Sequence, residues 1–412
     1  MKFFSHTLGC RTNQYDTAAI EALLVKRGIE IVREPSSADV IYVQTCSVTG
    51  RADTKSGQAI RKFITDNPSK RVLVGGCGPQ GNRDSFSSIE GVEAVFGVNS
   101  AEQIAAHITG TPESKEHHEF GSIVEFNGRK RANLKIQDGC DSFCTYCIIP
   151  SLRGKPVSRS REDVLSQLDL LVKGGFCEIV LTGIHVGKYQ DDKIVLSDLI
   201  EMAVKIDGKF RLRLSSIEPQ EIDEKLLSLV VNNRKVCNYL HIPLQSGDDS
   251  ILTAMNRKYS ASTVMELFKR VRKLDPFCGL GTDIITGFPG ETEECFSNTV
   301  DFIANSPLVY GHVFPFSPRM GTPAAEFKGQ IDRGVALKRV RTLRKLFDEK
   351  KGNFFKTLVG SVQNCIIESG NRGHTANFAQ VEIAGTVPAG GMVEVKITGS
   401  VNGNLTGEIK GE

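Results

Sequence analysis

The sequence predicts an α/β protein in three parts. A parallel α/β domain is expected over residues 1–120, an incomplete (βα)6 barrel over 126–356 and a small β-barrel over 357–412. Three observations predict it. Short β-like runs alternate with helical periodicity from Lys2 to Phe314, which implies parallel sheets. Cys10, Cys46, Cys77 and Cys140 each follow such a run, where α/β folds place their ligand sites. From Gly360 onward the helical periodicity stops, and strand-like runs are separated by glycine turns.

Composition narrows the class. A chain of 412 residues can bury two or three cores. A formal charge of +3 does not by itself announce a nucleic-acid binder. No run approaches the roughly 20 apolar residues of a membrane span. Met1 to His6 carries no signal-like apolar core, so a cytoplasmic protein without a membrane partner is expected. Eleven cysteines, an odd number spread along the whole chain, argue against a small disulfide scaffold. They fit metal or cluster ligation in a reducing compartment.

In the first part, Lys2 to Leu8 runs into Gly9-Cys10, Ala38 to Gln44 into Thr45-Cys46, and Arg71 to Val74 into Gly75-Gly76-Cys77. Helical patterns lie between, at Asp16 to Arg27 and at Thr54 to Asp66, the latter with Ile60, Phe63 and Ile64 on one face. Parallel strands share one carboxyl edge, so Cys10, Cys46 and Cys77 can converge there. They would make a three-thiolate cluster site, with Gly9, Gly75, Gly76 and Gly78 letting the backbone come close. The other reading is three unrelated cysteines in β-α turns. Thr109 to Arg131, with Pro112, His117-His118 and Arg129-Lys130-Arg131, reads as a linker with exposed histidines.

In the second part, the strand-like Ala132 to Gln137 opens onto Cys140-x3-Cys144-x2-Cys147. A closed zinc site takes four ligands, and an ordinary cubane cluster takes four thiolates. Three thiolates at this spacing suit a cubane cluster with one iron left open to a small molecule. Strand-like runs follow at Glu178 to Leu181, Phe210 to Leu214, Tyr239 to Leu244, Leu280 to Ile285 and Val309 to Phe314. Helical patterns between them include Glu162 to Lys173, Leu196 to Ile206 and Ser262 to Leu274. Barrel sites lie at the carboxyl ends of the strands. There Glu218 and Asp283 suit a cation, and Thr182, Ser215 and Gln245 suit hydroxyls or amides. Such residues also often only cap helices. Gly183 adjoins Thr182, and Gly287 and Gly290 permit close backbone approach. His185 reads as a satisfied loop histidine, and His241 and His312 read as structural. Cys177, Cys237, Cys278 and Cys295 fit no spacing motif and read as buried small hydrophobes. There is no phosphate loop, nucleophile elbow or H-E-x-x-H.

In the third part, Asp332 to Thr357 reads as a strongly basic helix with a buried stripe of Val335, Leu337, Val340, Leu343, Leu346 and Phe347. Its one-signed charge suits RNA phosphate. The strand-like runs Val362 to Glu368, Ala376 to Ile383, Val393 to Ile397 and Leu405 to Ile409 suggest a barrel that can grip RNA. Residues 358–412 are nevertheless slightly acidic, with Arg372, Lys396 and Lys410 against Glu368, Glu382, Glu394, Glu408 and Glu412.

Cys140-x3-Cys144-x-Tyr146-Cys147 resembles the signature of the radical S-adenosylmethionine (SAM) enzymes. Thr7-Leu8-Gly9-Cys10-Arg11-Thr12-Asn13-Gln14-Tyr15-Asp16, Gln44-Thr45-Cys46-Ser47-Val48-Thr49 and Gly75-Gly76-Cys77 are similar to motifs of their methylthiotransferase subfamily. Gly373 to Phe378 and Val393 to Ile397 resemble that family's C-terminal TRAM domain. The resemblance implies two 4Fe-4S clusters, one on Cys140, Cys144 and Cys147 and one on Cys10, Cys46 and Cys77. It implies SAM on the open iron of the first, with Tyr146 near the adenine and Thr182, Gly183, Ser215, Glu218, Gln245 and Asp283 around it. It implies reductive cleavage of SAM, hydrogen abstraction at C2 of an adenine, and insertion of sulfur and a methyl group. The anticodon loop of tRNA is the implied partner, with a flavodoxin or ferredoxin as reductant and a monomeric enzyme. Thr12 to Asp16, His241 to Gly247 and Phe314 to Pro323 are most similar to enzymes acting on N6-threonylcarbamoyladenosine. Isopentenyladenosine, a ribosomal-protein aspartate and a non-catalytic iron–sulfur RNA-binding protein are the alternatives.

Overall fold

The computed structural model describes residues 1–112, 120–121, 123, 131–385, 387, 391–401 and 403–410. The linker residues His117-His118 and Arg129-Lys130 lie outside them.

The chain opens with β1 (Lys2–Thr7), α1 (Arg11–Lys26), β2 (Glu30–Ile31), β3 (Val40–Thr45), α2 (Gly50–Asp66), β4 (Arg71–Gly76), α3 (Cys77–Gly81), α4 (Arg83–Ser87), β5 (Val92–Val95) and α5 (Ala101–Thr109). The strands form one parallel sheet in the order β2-β1-β3-β4-β5. All six residues of β3 are buried, as expected of a strand covered on both faces. α1 starts at Arg11, one turn before the apolar periodicity becomes visible at Asp16. Its first turn is polar yet holds the buried Thr12 and Asn13.

The next elements are β6 (Arg131–Lys135), β7 (Gln137–Asp138), α6 (Ile149–Arg153), β8 (Val157–Ser158), α7 (Arg161–Lys173), β9 (Glu178–Thr182), β10 (Gln190–Asp191), β11 (Ile194–Val195), α8 (Leu196–Ala203), β12 (Arg211–Leu214), α9 (Glu224–Asn232), β13 (Tyr239–His241), α10 (Asp249–Ala254), α11 (Ala261–Leu274), β14 (Gly279–Thr286), α12 (Glu293–Asn305), β15 (Tyr310–Pro315) and α13 (Arg333–Leu358). β6, β9 and β12 pair in parallel, as do β13, β14 and β15. Parallel bridges Leu212↔Val236 and Ser216↔His241 join the two sets. The result is an incomplete barrel in the order β6-β9-β12-β13-β14-β15. Leu212, Leu214, Leu240, Ile242, Ile284 and Val313 belong to the main core. With a side-chain period of two, the alternate residues Arg211, Arg213, Tyr239, His241, Asp283 and His312 line the barrel's inner side. At the edge strand β6, α1 closes in: Asn133 donates to Gln14 Oε1 at 3.1 Å and Lys135 Nζ to Asp16 Oδ1 at 2.5 Å.

The chain ends in a closed antiparallel-and-parallel barrel, β16-β17-β18-β20-β19, made of β16 (Val362–Ser369), β17 (Arg372–Thr375), β18 (Gln380–Ile383), β19 (Met392–Val401) and β20 (Asn404–Ile409). Its core includes Phe354, Phe355 and Leu358, so the boundary expected at 356/357 falls inside α13. The barrel docks on cations of β12. Arg211 donates to the carbonyls of Asn364 and His374, both at 2.9 Å, and Arg213 to those of Ala376 at 3.0 Å and Thr375 at 3.1 Å. Glu178, fully buried, accepts from both guanidinium groups.

Two expectations need correction. Val335 and Leu337 are exposed rather than part of the buried stripe, because the buried face of α13 runs through Ala336, Val340, Leu343 and Phe347, and Val335 and Leu337 lie to either side of it. Several basic residues of that helix are spent inside the protein: Arg339 pairs with Glu291 and Glu293, Arg344 donates to Val313 O, and Lys350 to Ser306 O. Cys237 and Cys278 are buried, but Cys177 and Cys295 are only half-buried.

Candidate functional site

The first cysteine group sits on the loop after β7. Gly139 turns the chain with φ +73°, and a Cβ there would come 2.0 Å from Lys155 O. Beyond it Cys140 N donates to Gly154 O (3.0 Å) and Cys147 N to Cys144 O (2.9 Å). The loop is tied to the segment after α10: Thr145 Oγ1 donates to Ala254 O at 2.8 Å and Asn256 Nδ2 to Phe143 O at 3.0 Å. Ala324 N donates to Thr145 O at 2.9 Å.

Cations flank these thiols. Arg257 reaches Cys144 Sγ with Nη1 at 3.2 Å, Tyr259 Oη with Nε at 2.7 Å, and pairs with Glu218 through Nη2. His185 Nδ1 lies 3.4 Å from Cys140 Sγ and 3.2 Å from Ser142 Oγ, and its Nε2 lies 2.6 Å from Glu221. Burial alone would lower the His185 pKa, but the Cys140 thiol and the Glu221 carboxylate outweigh it and push it up to about 9. Burial works in the other sense on Cys140; there the contacts with His185 and Ser142 prevail and hold the thiol below its ordinary value. At Cys147 burial outweighs a hydrogen bond from the Ile149 backbone and pushes the thiol up to about 12.

The residues expected around this loop are placed as follows. Tyr146 packs beside Met255 and Phe288. Thr182 ends β9, buried, and its carbonyl accepts from Ile136 N at 2.9 Å. At Gly183 a Cβ would meet Gln137 O at 2.7 Å, so only glycine lets the two segments pass. Ser215 Oγ is buried with no hydrogen-bond partner among the described residues. Gln245 adopts φ +69° and donates its N–H to Asp283 O at 2.8 Å. The Asp283 carboxylate instead faces His241 at 3.1 Å and His312 at 3.2 Å.

The second group sits on one edge of the N-terminal sheet. The registers Thr7↔Gln44 and Thr45↔Gly76 set the ends of β1, β3 and β4 side by side. Cys10 is the N-cap of α1, Cys46 follows β3 and Cys77 opens α3. A Cβ on Gly9 would stand 2.8 Å from Cys46 Cβ and 3.1 Å from its Sγ, so glycine is needed where the first two cysteine turns meet. Asn13 ties the turns together, donating to Leu8 O (2.9 Å) and Thr45 O (2.8 Å), with its Oδ1 3.9 Å from Cys77 Sγ. Burial raises Cys46 and pushes Cys77 up to about 11.

Buried side chains link the surroundings of the two groups. Arg153, at the end of α6 and buried, donates from Nη2 to Asn13 Oδ1 (2.8 Å) and Asp16 Oδ2 (3.0 Å), and from Nη1 to Asp138 Oδ2 (2.8 Å). Its Nε is buried with no partner among the described residues. Arg319, in the loop after β15, reaches Asp53 (2.7 Å) and Ser47 Oγ (2.8 Å) just beyond Cys46. A cleft of about 690 Å³ lined by Ser47, Asp53, Gly78, Ile148, Leu152 and Arg319 opens beside these contacts. Each group offers three thiols with cationic or orphaned donors next to them, a donor set that fits an anionic iron–sulfur cluster with one iron unligated by protein. The orphaned Ser215 hydroxyl fits a polar small molecule at the barrel mouth.

Sequence reasoning missed Arg257 and Arg153, and held Asn13 and Arg319 only as members of motifs, with no role assigned. Arg257 and Arg319 have no spacing relation to the cysteines they serve. Arg153 lies only six positions past Cys147, and a lone cation so close to a cysteine loop was a usable signal.

Residues 134–303 match the Radical SAM superfamily, and residues 2–97 match the family described as Uncharacterized protein family UPF0004. The threonylcarbamoyladenosine tRNA methylthiotransferase MtaB of Bacillus subtilis (strain 168) is 37% identical over 95% of this chain and 92% of its own length. The tRNA-2-methylthio-N(6)-dimethylallyladenosine synthase of Carboxydothermus hydrogenoformans is 32% identical over 96% of each chain. Among solved structures, the radical S-adenosylmethionine methyltransferase TsrM from Kitasatospora setae aligns with a TM-score of 0.56 at 15% identity, over 79% of this chain and 77% of that one. At that identity the likeness concerns the fold. With relatives of this identity aligned along nearly its whole length, the chain belongs to the radical-SAM tRNA methylthiotransferase family.

Proposed function

We propose that this protein inserts sulfur and a methyl group at C2 of N6-threonylcarbamoyladenosine-37 in the anticodon loop of tRNA. The observation that supports the reading is the Arg153 bridge between Asn13, which ties the turns of one three-thiol group, and Asp138, which precedes the other. Higher identity to the Bacillus subtilis relative than to the Carboxydothermus one supports the threonylcarbamoyl substrate.

Cys140, Cys144 and Cys147 would hold one 4Fe-4S cluster and Cys10, Cys46 and Cys77 a second. When bound, the first cluster with SAM supplies one-electron radical chemistry and the second supplies sulfur. The chain's own residues bind, orient and shield. Arg257 holds positive charge against Cys144 and fixes the Glu218 carboxylate at the barrel mouth. His185, kept charged by Glu221, donates toward Cys140. Ser215 Oγ, buried and unpartnered, is available to a SAM polar group. Gly183 lets Gln137 pack against the end of β9 and so fixes the strand ends that would face that ligand. Arg153 and Arg319 hold the N-terminal edge against the barrel domain.

Mass spectrometry of the nucleosides of total tRNA, with and without the gene, tests the reading. Loss of the 2-methylthio group from threonylcarbamoyladenosine alone is expected. Loss from isopentenyladenosine would reassign the substrate, and an unchanged tRNA profile would refute a tRNA substrate.

A further inference from the structure

We propose that His241, Asp283 and His312 form a binding site for a divalent transition-metal ion on the inner wall of the barrel, separate from both cysteine groups. Each residue comes from a different strand. The registers His241↔Gly281 and Asp283↔His312 bring β13, β14 and β15 together at one level of the wall. Asp283 Oδ2 lies 3.1 Å from His241 Nε2, and Oδ1 lies 3.2 Å from His312 Nδ1. One ligand atom from each side chain falls within 4.8 Å of the other two. Ligands about 2.1 Å from a tetrahedral ion stand roughly 3.4 Å from one another, so an ion enters with little rearrangement.

The arrangement is built rather than incidental. The Tyr239 hydroxyl lies 3.1 Å from His241 Nδ1 and fixes the ring with Nε2 turned to Asp283. With a metal on Nε2, Nδ1 carries the proton and donates it to the Tyr239 oxygen, the outer partner that metal-bound imidazoles commonly have. Gly281 makes this contact possible: a Cβ there would stand 2.4 Å from the Tyr239 hydroxyl and 2.9 Å from His241 Nδ1. The His312 side chain is 59% exposed against 11% for His241, so the site has a buried wall and an open side. Ions enter from that side, and oxygen ligands complete the coordination there. Two imidazoles and a carboxylate select first-row divalent ions over calcium or magnesium.

The test uses the full chain with its cysteines loaded with clusters, and Mn2+ as the probe, because Mn2+ prefers oxygen and nitrogen to thiolate. Titration followed by the electron paramagnetic resonance of free Mn2+ is expected to show a saturable site from which Zn2+ displaces the probe. His312→Ala, at a largely exposed side chain, and Asp283→Asn are each expected to weaken binding at least about tenfold with the cluster signals unchanged. Equal affinity in wild type and His312→Ala overturns the proposal, and so does the absence of a saturable Mn2+ or Zn2+ site. Neither outcome bears on the nucleoside substrate, which the tRNA profile reads independently.

Discussion

Arg153 donates to Asn13 across 140 positions of sequence, at 2.8 Å, and so joins the loop after Cys147 to the helix after Cys10. The same guanidinium holds Asp16 and Asp138, both of which also hold Lys135. Removing one partner from a buried ion network leaves the others uncompensated, a loss of about 3–5 kcal/mol. Arg153→Met should therefore lower the unfolding free energy by that order in a denaturant titration of the cluster-free protein, with Arg153→Lys recovering part of it. A loss below about 1 kcal/mol, typical of surface pairs, would remove Arg153 from this role.

The two cysteine groups should separate by phenotype. Alanine at Cys140, Cys144 or Cys147 is expected to abolish reductive formation of 5′-deoxyadenosine by reconstituted protein. Cys10→Ala should retain that reaction and lose sulfur insertion into tRNA. Full thiomethylation by Cys10→Ala in vitro would dismiss the second cluster.

Arg257 offers a way to perturb the barrel mouth without touching a thiol. Arg257→Met frees Glu218 and takes the cation away from Cys144. Misplaced reacting groups cost on the order of 100-fold in rate. SAM cleavage should fall by about that factor while iron content stays near wild type; an unchanged rate would show that the pair does not position the reaction.

Docking of the C-terminal barrel should depend on acid. Glu368 accepts from His374 and pairs with Arg131, and these contacts hold its carboxyl at about 2, against an ordinary value of 4.5. A carboxylate with a depressed folded pKa stabilises fully above its unfolded value and progressively less as pH falls through the folded one. Protection of residues 359–410 from an acid-active protease should thus decline between about pH 4.5 and 2 in wild type. Glu368→Gln should already be less protected at the upper end of that range and lack that slope; identical profiles would discount the pair.

The strand–helix alternation was legible because it is local: each buried strand is an apolar run, and each helix repeats its apolar residues every turn. Cys10, Cys46 and Cys77 could be set on one edge because parallel topology alone brings their strand ends together. The contacts that decide the site were not legible in this way. His241 and His312 each read as structural in isolation and meet at Asp283 only through strand register. Arg257 follows α10, far along the chain from Cys144, and nothing in its spacing refers to a thiol. Composition gave the basic helix α13 but not how its charges divide: Arg339 and Lys350 are taken up by Glu291 and by Ser306 O, while Lys338, Arg341 and Lys345 stay exposed.

Arg211 and Arg213 hydrogen-bond the C-terminal barrel through the carbonyls of Asn364, His374, Thr375 and Ala376. Carbonyl oxygens are the same whatever residue bears them. These four bonds therefore place little demand on residue identity, in contrast to the Glu368–Arg131 pair beside them. The barrel's outer surface is free to vary while its seat stays fixed. Excising it would be another matter, because two desolvated guanidinium groups would lose their acceptors at once, so the catalytic half is not expected to tolerate life as a truncated fragment.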